Sequence, residues 1–480
     1  MIAEVQPADR IRALLRPVAI ALVLGLGGAL LAVGAPLIAI GVTVAILLVV
    51  ATVWLPGVLF GLYLVLPYYK AAAQDFSPID LTVALALLMS IQIVPVILGY
   101  RPRGSARPVI TLWVVLALMV LIGVVYAQDQ DLAIDRALNW AFLVFIPVMA
   151  GALRVGADAT SVRHLLWTFL GLGMVVTFLG ISQLSGEQRL EVLGTDTIAV
   201  ARAALLVPIM ALFFILPRGG TLTRYVTIVS IPAALIVAVA SGSRGPLLAF
   251  LIVFAVWALQ RRPGFRSGTH GGGRAIAGVA IASVVILWAT AASLPDEALR
   301  RFERLGEFAQ SVLAGEDAAA QDSSAGARVT LFRGAWAMFE DNPVAGSGTA
   351  GFEAGSQYYV GVREAAEYPH NALLQFAAEY GIVGVVIFAI FVAAALVRRL
   401  PAGPPMAIRA LYLYFLLNAM VSGNIFEDRT LWGLLLLILV LAPGRVKDDG
   451  ARSRSPSEPL AGGVGPVNDR IRRESAARGI

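Results

Sequence analysis

Long apolar runs recur along most of the chain, separated by short polar segments, and this pattern leaves few folds open. An α-helix needs about 20 predominantly apolar residues to cross a bilayer. Runs of roughly this kind, some shorter, lie near 17–34, 36–54, 56–69, 79–98, 109–126, 137–153, 164–184, 198–216, 225–240, 246–260, 275–294, 374–397, 409–422 and 430–443. Of the 480 residues, 58% are hydrophobic and 14% charged, with a mean hydropathy of +0.80. A soluble domain carries about 25% charged residues. The alternating pattern of a membrane β-barrel is absent. The expected fold class is an all-α polytopic membrane protein with about fourteen transmembrane helices.

Charge sets the orientation. The segments "RPRGSARP", "RVGADATSVR", "RGGTLTR", "RRPGFRSGTHGGGR" and "RRLPAGPPMAIR" are basic, which predicts a cytoplasmic position. The first apolar run follows Arg10, Arg12 and Arg16 and could pass for a signal peptide, but its apolar character continues to residue 69. We therefore read it as the first spans. Three spans within 17–69 and one at 79–98 place the N-terminus and "RPRGSARP" on the same inner side. The same parity sends "AQDQDLAID", "SGEQRLEVLGTD", "SGSRG" and "SGNIFEDRT" outside, with one large outer segment at 295–373. The expected organisation is a transmembrane bundle over 1–294, an outer helical loop over 295–373, C-terminal spans over 374–443 and a polar cytoplasmic tail over 444–480. The net charge of +6 is spread over inner loops and is no nucleic-acid footprint.

The outer segment carries two amphipathic patterns. Ala298, Phe302, Leu305, Ala309 and Val312 recur at helical spacing, as do Val329, Phe332, Trp336 and Phe339. Both predict helices that lie on the outer membrane surface or cap the bundle, with "GEDAAAQDSSAGA" as a mobile linker between them.

Few residues are suited to chemistry. Cysteine is absent, which excludes thiol catalysis and disulfides. Of three histidines, His164 and His270 read as surface residues, whereas His370 stands where the outer segment re-enters the membrane. Pro369 and Asn371 are start signals for the next helix, and a helix N-terminus disfavours a protonated imidazole. Two readings stay open: an interfacial cap, or a neutral imidazole suited to act as a base. Arg202, Arg244, Arg328, Arg333 and Arg363 form a second group, on the side where short loops normally avoid Arg. An anionic ligand explains them; snorkelling to lipid phosphates is the plainer account for Arg202. Asp129 and Asp131 read as a solvated loop in preference to a metal site, and Glu427 and Asp428 as partners of Arg429. No Walker, HExxH or GxSxG signature is present.

Three stretches together resemble the O-antigen ligase and polymerase family of bacterial membrane glycosyltransferases. They are "SGSRGPLLA", "ARVTLFRGAWAMFEDNPVAGSGTAGF" and "PHNALLQFAAEYGIVG", in family order over about 241–384. The resemblance implies a GT-C-like fold in the inner membrane, with the active site on its outer, periplasmic face. It implies transfer from an undecaprenyl diphosphate glycan to a glycan or lipid acceptor, with no cofactor and no metal ion. Arg244 and Arg328 take the place of the family's diphosphate-binding arginines and His370 that of its base, while Arg333 and Arg202 match less closely. Phe332 stands where many members have Trp. A transporter or flippase for lipid-linked sugars would need polar groups along a path through both leaflets, whereas the unusual charges gather on one side. A non-catalytic envelope scaffold would tolerate loss of His370.

Overall fold

Six helices begin where a short acidic or amide side chain accepts the first free backbone N–H groups. Asp80 accepts from Thr82, Asp129 from Leu132, Asp158 from Thr160 and Ser161, Asp196 from Ala199, Asn371 from Leu374 and Asp428 from Leu431. Caps of this kind stabilise a helix by about 1 kcal/mol each, and their need grows where no water can serve as substitute. They divide the apolar stretches into separate helices.

A computed structural model describes residues 54–74, 80–97, 106–184, 190–218, 220–260, 323–361, 366–401 and 403–441. The helices are α1 (Pro56–Leu64), α2 (Leu81–Ile91), α3 (Arg107–Val125), α4 (Gln130–Gly156), α5 (Ala159–Ser182), α6 (Thr197–Ile215), α7 (Thr221–Ala240) and α8 (Arg244–Gln260). They continue with α9 (Ser323–Asp341), α10 (Gly351–Val360), α11 (Ala372–Val397), α12 (Pro404–Ser422) and α13 (Arg429–Val440). Among the described residues seven helices are long and apolar enough to cross a membrane: α3 to α7, α11 and α12. The expected spans 17–34 and 275–294, most of 36–54, the amphipathic pattern before residue 315, the tail, His270 and Arg363 lie outside the described residues.

Three details depart from the sequence reading. The span expected at 56–69 is the nine-residue α1 followed by a 3-10 turn at Leu66–Tyr68. At 1.5 Å per residue that helix is about 14 Å long, shorter than the expected span. Helix α9 starts at Ser323, inside the expected linker, because Gly326 is buried against the bundle. Its buried face is Leu331, Ala335 and Met338, packed with Phe352 and Ala378. The Val329, Phe332, Trp336 and Phe339 stripe lies beside that face, half-buried except for Trp336, which is exposed.

Helix α13 is the centre of the bundle. It is apolar all round, and every residue from Thr430 to Val440 is buried, as expected of a helix enclosed by protein. It packs on α1, α3, α4, α11 and α12. Close approach is set by Gly433, where a Cβ would stand 2.5 Å from Leu64 Cδ2. Thr430 Oγ1 donates to the Leu64 carbonyl at 2.6 Å and Trp432 Nε1 to that of Ile425 at 2.8 Å. Around Trp432, rings of Trp113, Phe376, Phe388 and Phe391 pack edge-on. In α4, Pro147 cannot bond the Leu143 carbonyl four residues earlier; the Tyr63 hydroxyl donates to it instead.

Helix α11 is broken at Gly381, whose φ of +58° and ψ of −152° no helix contains. The segment 343–349 fills the break. The Ser347 N–H donates to the Ala378 carbonyl at 2.9 Å, the Gly348 N–H to Glu379 at 2.8 Å, and the Ile382 N–H to Pro343 at 2.8 Å. The same segment grips the end of α3. Thr349 Oγ1 donates to the Val120 carbonyl at 2.7 Å, and the Tyr126 hydroxyl donates to Ala345 at 2.6 Å. Gly346 has φ +71°, and a Cβ there would lie 2.3 Å from the Glu379 carbonyl carbon.

Gly346→Ala should therefore lower the melting temperature of the purified protein, with backbone strain alone costing about 1–3 kcal/mol. Gly171→Ala, in α5 with nothing within 4 Å of the added methyl, should leave it unchanged or raise it. Equal melting temperatures for Gly346→Ala and wild type would show that the docked segment does not need this close approach.

Candidate active site

The sequence-predicted arginines sit on α6, α8 and α9, and two of these helices, α6 and α8, meet the end of α12. Asp196 caps α6, and Arg202 follows within two turns. Its Nε donates to Asn418 Oδ1 at 3.2 Å and its Nη2 to the Ser422 carbonyl at 3.0 Å, while its own carbonyl accepts from the Tyr414 hydroxyl at 3.3 Å. Arg202 is thus tied to α12, which snorkelling alone would not require.

The "SGSRG" stretch is a tight turn, as expected. Gly242 supplies a φ of +73°. Ser241 Oγ donates to the Ala238 carbonyl at 2.8 Å and accepts from the Ser243 N–H at 3.2 Å. Ser243 Oγ lies 3.4 Å from Thr197 Oγ1, which ties the turn to the start of α6. Arg244 then opens α8, half-buried, and a Cβ on its neighbour Gly245 would stand 3.0 Å from Val421 Cγ2. Arg244 and Arg202 therefore approach the same end of α12 from two sides.

His370 stands at the mouth of this arrangement, half-buried, with φ +57°. The next residue fixes it: Asn371 caps α11 through Oδ1 while its Nδ2 donates to the Met420 carbonyl at 2.8 Å. The imidazole packs against the Tyr368 ring at 4.4 Å between centroids, and its Nδ1 is buried without a hydrogen-bond partner. Burial, then the charges of Arg328 and Arg202, hold its basicity below the ordinary histidine value of 6.5. The structure thus brings His370, Arg328 and Arg202 into electrostatic reach of one another. Arg333 is exposed and lies about 140° round the helix from Arg328.

Other polar groups here were not singled out in the sequence. Gln375, fully buried in α11, accepts from the Ile425 N–H at 3.0 Å and donates to Asn424 at 3.5 Å and Glu379 at 3.2 Å. It holds the turn between α12 and α13 against α11. Asn418 was legible as a lone amide in an apolar helix; its fully buried side chain orients Arg202. Asp428 and Arg429 do not form the simple pair expected. Asp428 caps α13, and burial raises its pKa against the opposing pull of Arg202 and Arg429. Arg429 lies over the Tyr63 ring at 5.4 Å. Asp129, weighed as a metal ligand, is the cap of α4, and Asp131 falls in that helix's first turn. On the loop side, Arg136 grips Glu353 through two hydrogen bonds of 2.9 Å, joining α4 to α10.

The direction of the His370 shift has a consequence. A neighbouring cation disfavours the imidazolium, so removing one raises the pKa. Arg328→Gln should move the His370 imidazole titration, followed by NMR with His164 and His270 replaced, upward toward 6.5. A titration unmoved by Arg328→Gln would place that arginine outside the site.

No curated protein and no solved structure matches the chain. Residues 227–389 match a family model, Wzy_C, described as O-antigen ligase. The matched segment runs from α7 into α11 and includes Arg244, Arg328 and His370, while Arg202 and the α12–α13 turn lie outside it. Over residues 227–389 the chain is thus similar to the O-antigen ligase family.

Proposed function

We propose that this multi-pass membrane protein is a glycosyltransferase that moves or polymerises a glycan from an undecaprenyl diphosphate donor onto an acceptor hydroxyl. The observation that carries the reading is His370, half-buried with an unpartnered Nδ1 and kept short of its proton by Arg328 and Arg202. In the reaction the acceptor oxygen attacks the anomeric carbon as the bond to the diphosphate breaks. The acceptor proton passes to the neutral His370, and the leaving diphosphate gains negative charge. General-base assistance of this kind is worth about 10²–10⁴-fold. Arg244, Arg328 and Arg202, held by helix ends away from bulk water, stabilise the departing charge. No step requires a metal ion.

The same reading places the His370 end of the bundle on the outer face of a bacterial inner membrane. The basic loops between α4 and α5, α6 and α7, and α11 and α12 then fall inside. Because the chain has no cysteine, a single one introduced in α10 as Tyr358→Cys is expected to react with a membrane-impermeant thiol reagent in intact cells. Arg399→Cys, beyond the far end of α11, is expected to stay unreacted. The reverse pattern would invert the topology and remove the lipid-linked donor from reach.

The roles separate in single-turnover transfer and donor-binding assays run side by side with a chelator present. His370→Ala should bind donor almost normally while transfer falls by at least about 100-fold. Arg244→Ala should weaken donor binding as well, and Arg244→Lys should recover only part of it, since an ammonium keeps the charge and loses the two-pronged geometry. Near-normal turnover in His370→Ala would remove the general base from this account.

A further inference from the structure

We infer that α9 carries a membrane-docking face: Phe332, Trp336 and Phe339, continued by Val344, sit in the headgroup–acyl boundary of the leaflet at the His370 end.

The first ground is the helix itself. With Leu331, Ala335 and Met338 turned inward, Phe332, Trp336 and Phe339 share an adjoining face about 100° round the helix, within an arc of about 60° at 100° per residue; Phe332 and Phe339 are half-buried and Trp336 is exposed. The Trp336 side chain is 51% exposed and its ring lies 5.3 Å from that of Phe339. Its indole N–H is already spent on Glu340 Oε1 at 2.7 Å. The face therefore offers ring surface more than hydrogen bonds, which suits lipid better than a hydroxyl-rich glycan.

The second ground is depth. The segment after α9 is bonded on one side to Ile382 of α11 and on the other to Tyr126, the residue that ends α3. Val344, 65% exposed, thus lies between Val125 (74%) and Ile382 (47%), two residues of helices long enough to cross the membrane. Val344 is an exposed apolar residue set beside two exposed apolar residues of those spans, and α9 leads away from that point. Its aromatic face is consequently held near the level where α3 emerges. Aromatic side chains collect at that level, amphipathic bodies in the acyl boundary and polar tips in the headgroups. Arg333 flanks the stripe, on the side where a guanidinium meets lipid phosphate. This docking requires only that the bundle spans a membrane, not that the proposed chemistry is right.

Single cysteines in the cysteine-free chain allow a direct test. Spin labels at Trp336→Cys and Val344→Cys, in proteoliposomes of phosphatidylethanolamine and phosphatidylglycerol, are read by power saturation against oxygen and a water-soluble nickel complex. Both positions should favour oxygen, as lipid-embedded labels do. A label at Tyr358→Cys, 85% exposed on α10, should favour nickel. Val344→Cys retains Trp336, so loss of the aromatic anchor cannot by itself explain a negative result there. Nickel-dominated collisions at both positions would overturn the docking and leave the face to water or a glycan. Spin–spin broadening at 336 that grows with protein density in the bilayer would overturn it in favour of a second copy of the chain.

Discussion

The chain's outer architecture rests on a few backbone hydrogen bonds at one break in a helix. In hydrocarbon an unpaired N–H or C=O costs several kcal/mol, so a helix cannot open there without a replacement partner. Helix α11 opens at Gly381, and segment 343–349 supplies the partners for Ala378, Glu379 and Ile382. Because the same segment also holds α3 through Val120, Gly123 and Tyr126, it joins two spans to helices α9 and α10. His370 stands on the half of α11 beyond the break, and Arg328 on the helix that feeds the segment. Their mutual placement is therefore set by main-chain bonding, with side-chain packing adjusting it.

A second economy is visible in the acids. The chain has 31 acidic residues, and five of its aspartates cap helices. Arg202 is held by an amide and a carbonyl, both neutral, so its charge is oriented without being cancelled. A guanidinium held in this way keeps its field for whatever anion arrives.

Much of this was legible from residue order. Apolar runs gave the helices α3, α5 to α8, α11, α12 and α13 to within a few residues, since nothing but a buried or lipid-facing helix accommodates them, whereas the first seven residues of α4 are polar enough to have read as loop. "SGSRG" read correctly as a turn, and Asn371 as a helix start. The α9 stripe was found at the right spacing, but the face that meets the protein was not. Periodicity reports that a face is apolar, not what covers it, and the smaller stripe of Leu331, Ala335 and Met338 won the protein contact because Gly334 and Gly355 let α10 come close. The break at Gly381 was hidden because hydropathy does not register a φ angle. Gln375 and Asn418 were passed over because a single amide in an apolar helix carries no periodic signal; their importance lies in partners some 50 and 216 residues away along the chain.

The enclosure of α13 bears on how the protein is made. A helix of twelve residues is about 18 Å long, well short of the roughly 30 Å hydrocarbon thickness. On leaving the ribosome after all the other described helices, it has too little length to settle in lipid as a separate span. Its stable place is the slot lined by Leu64, Trp113 and Phe391, which exists only once the earlier helices have gathered. Assembly of the bundle thus ends with insertion of its own axis, and the turn that carries Ser422, Asn424 and Asp428 is drawn into position by that final step.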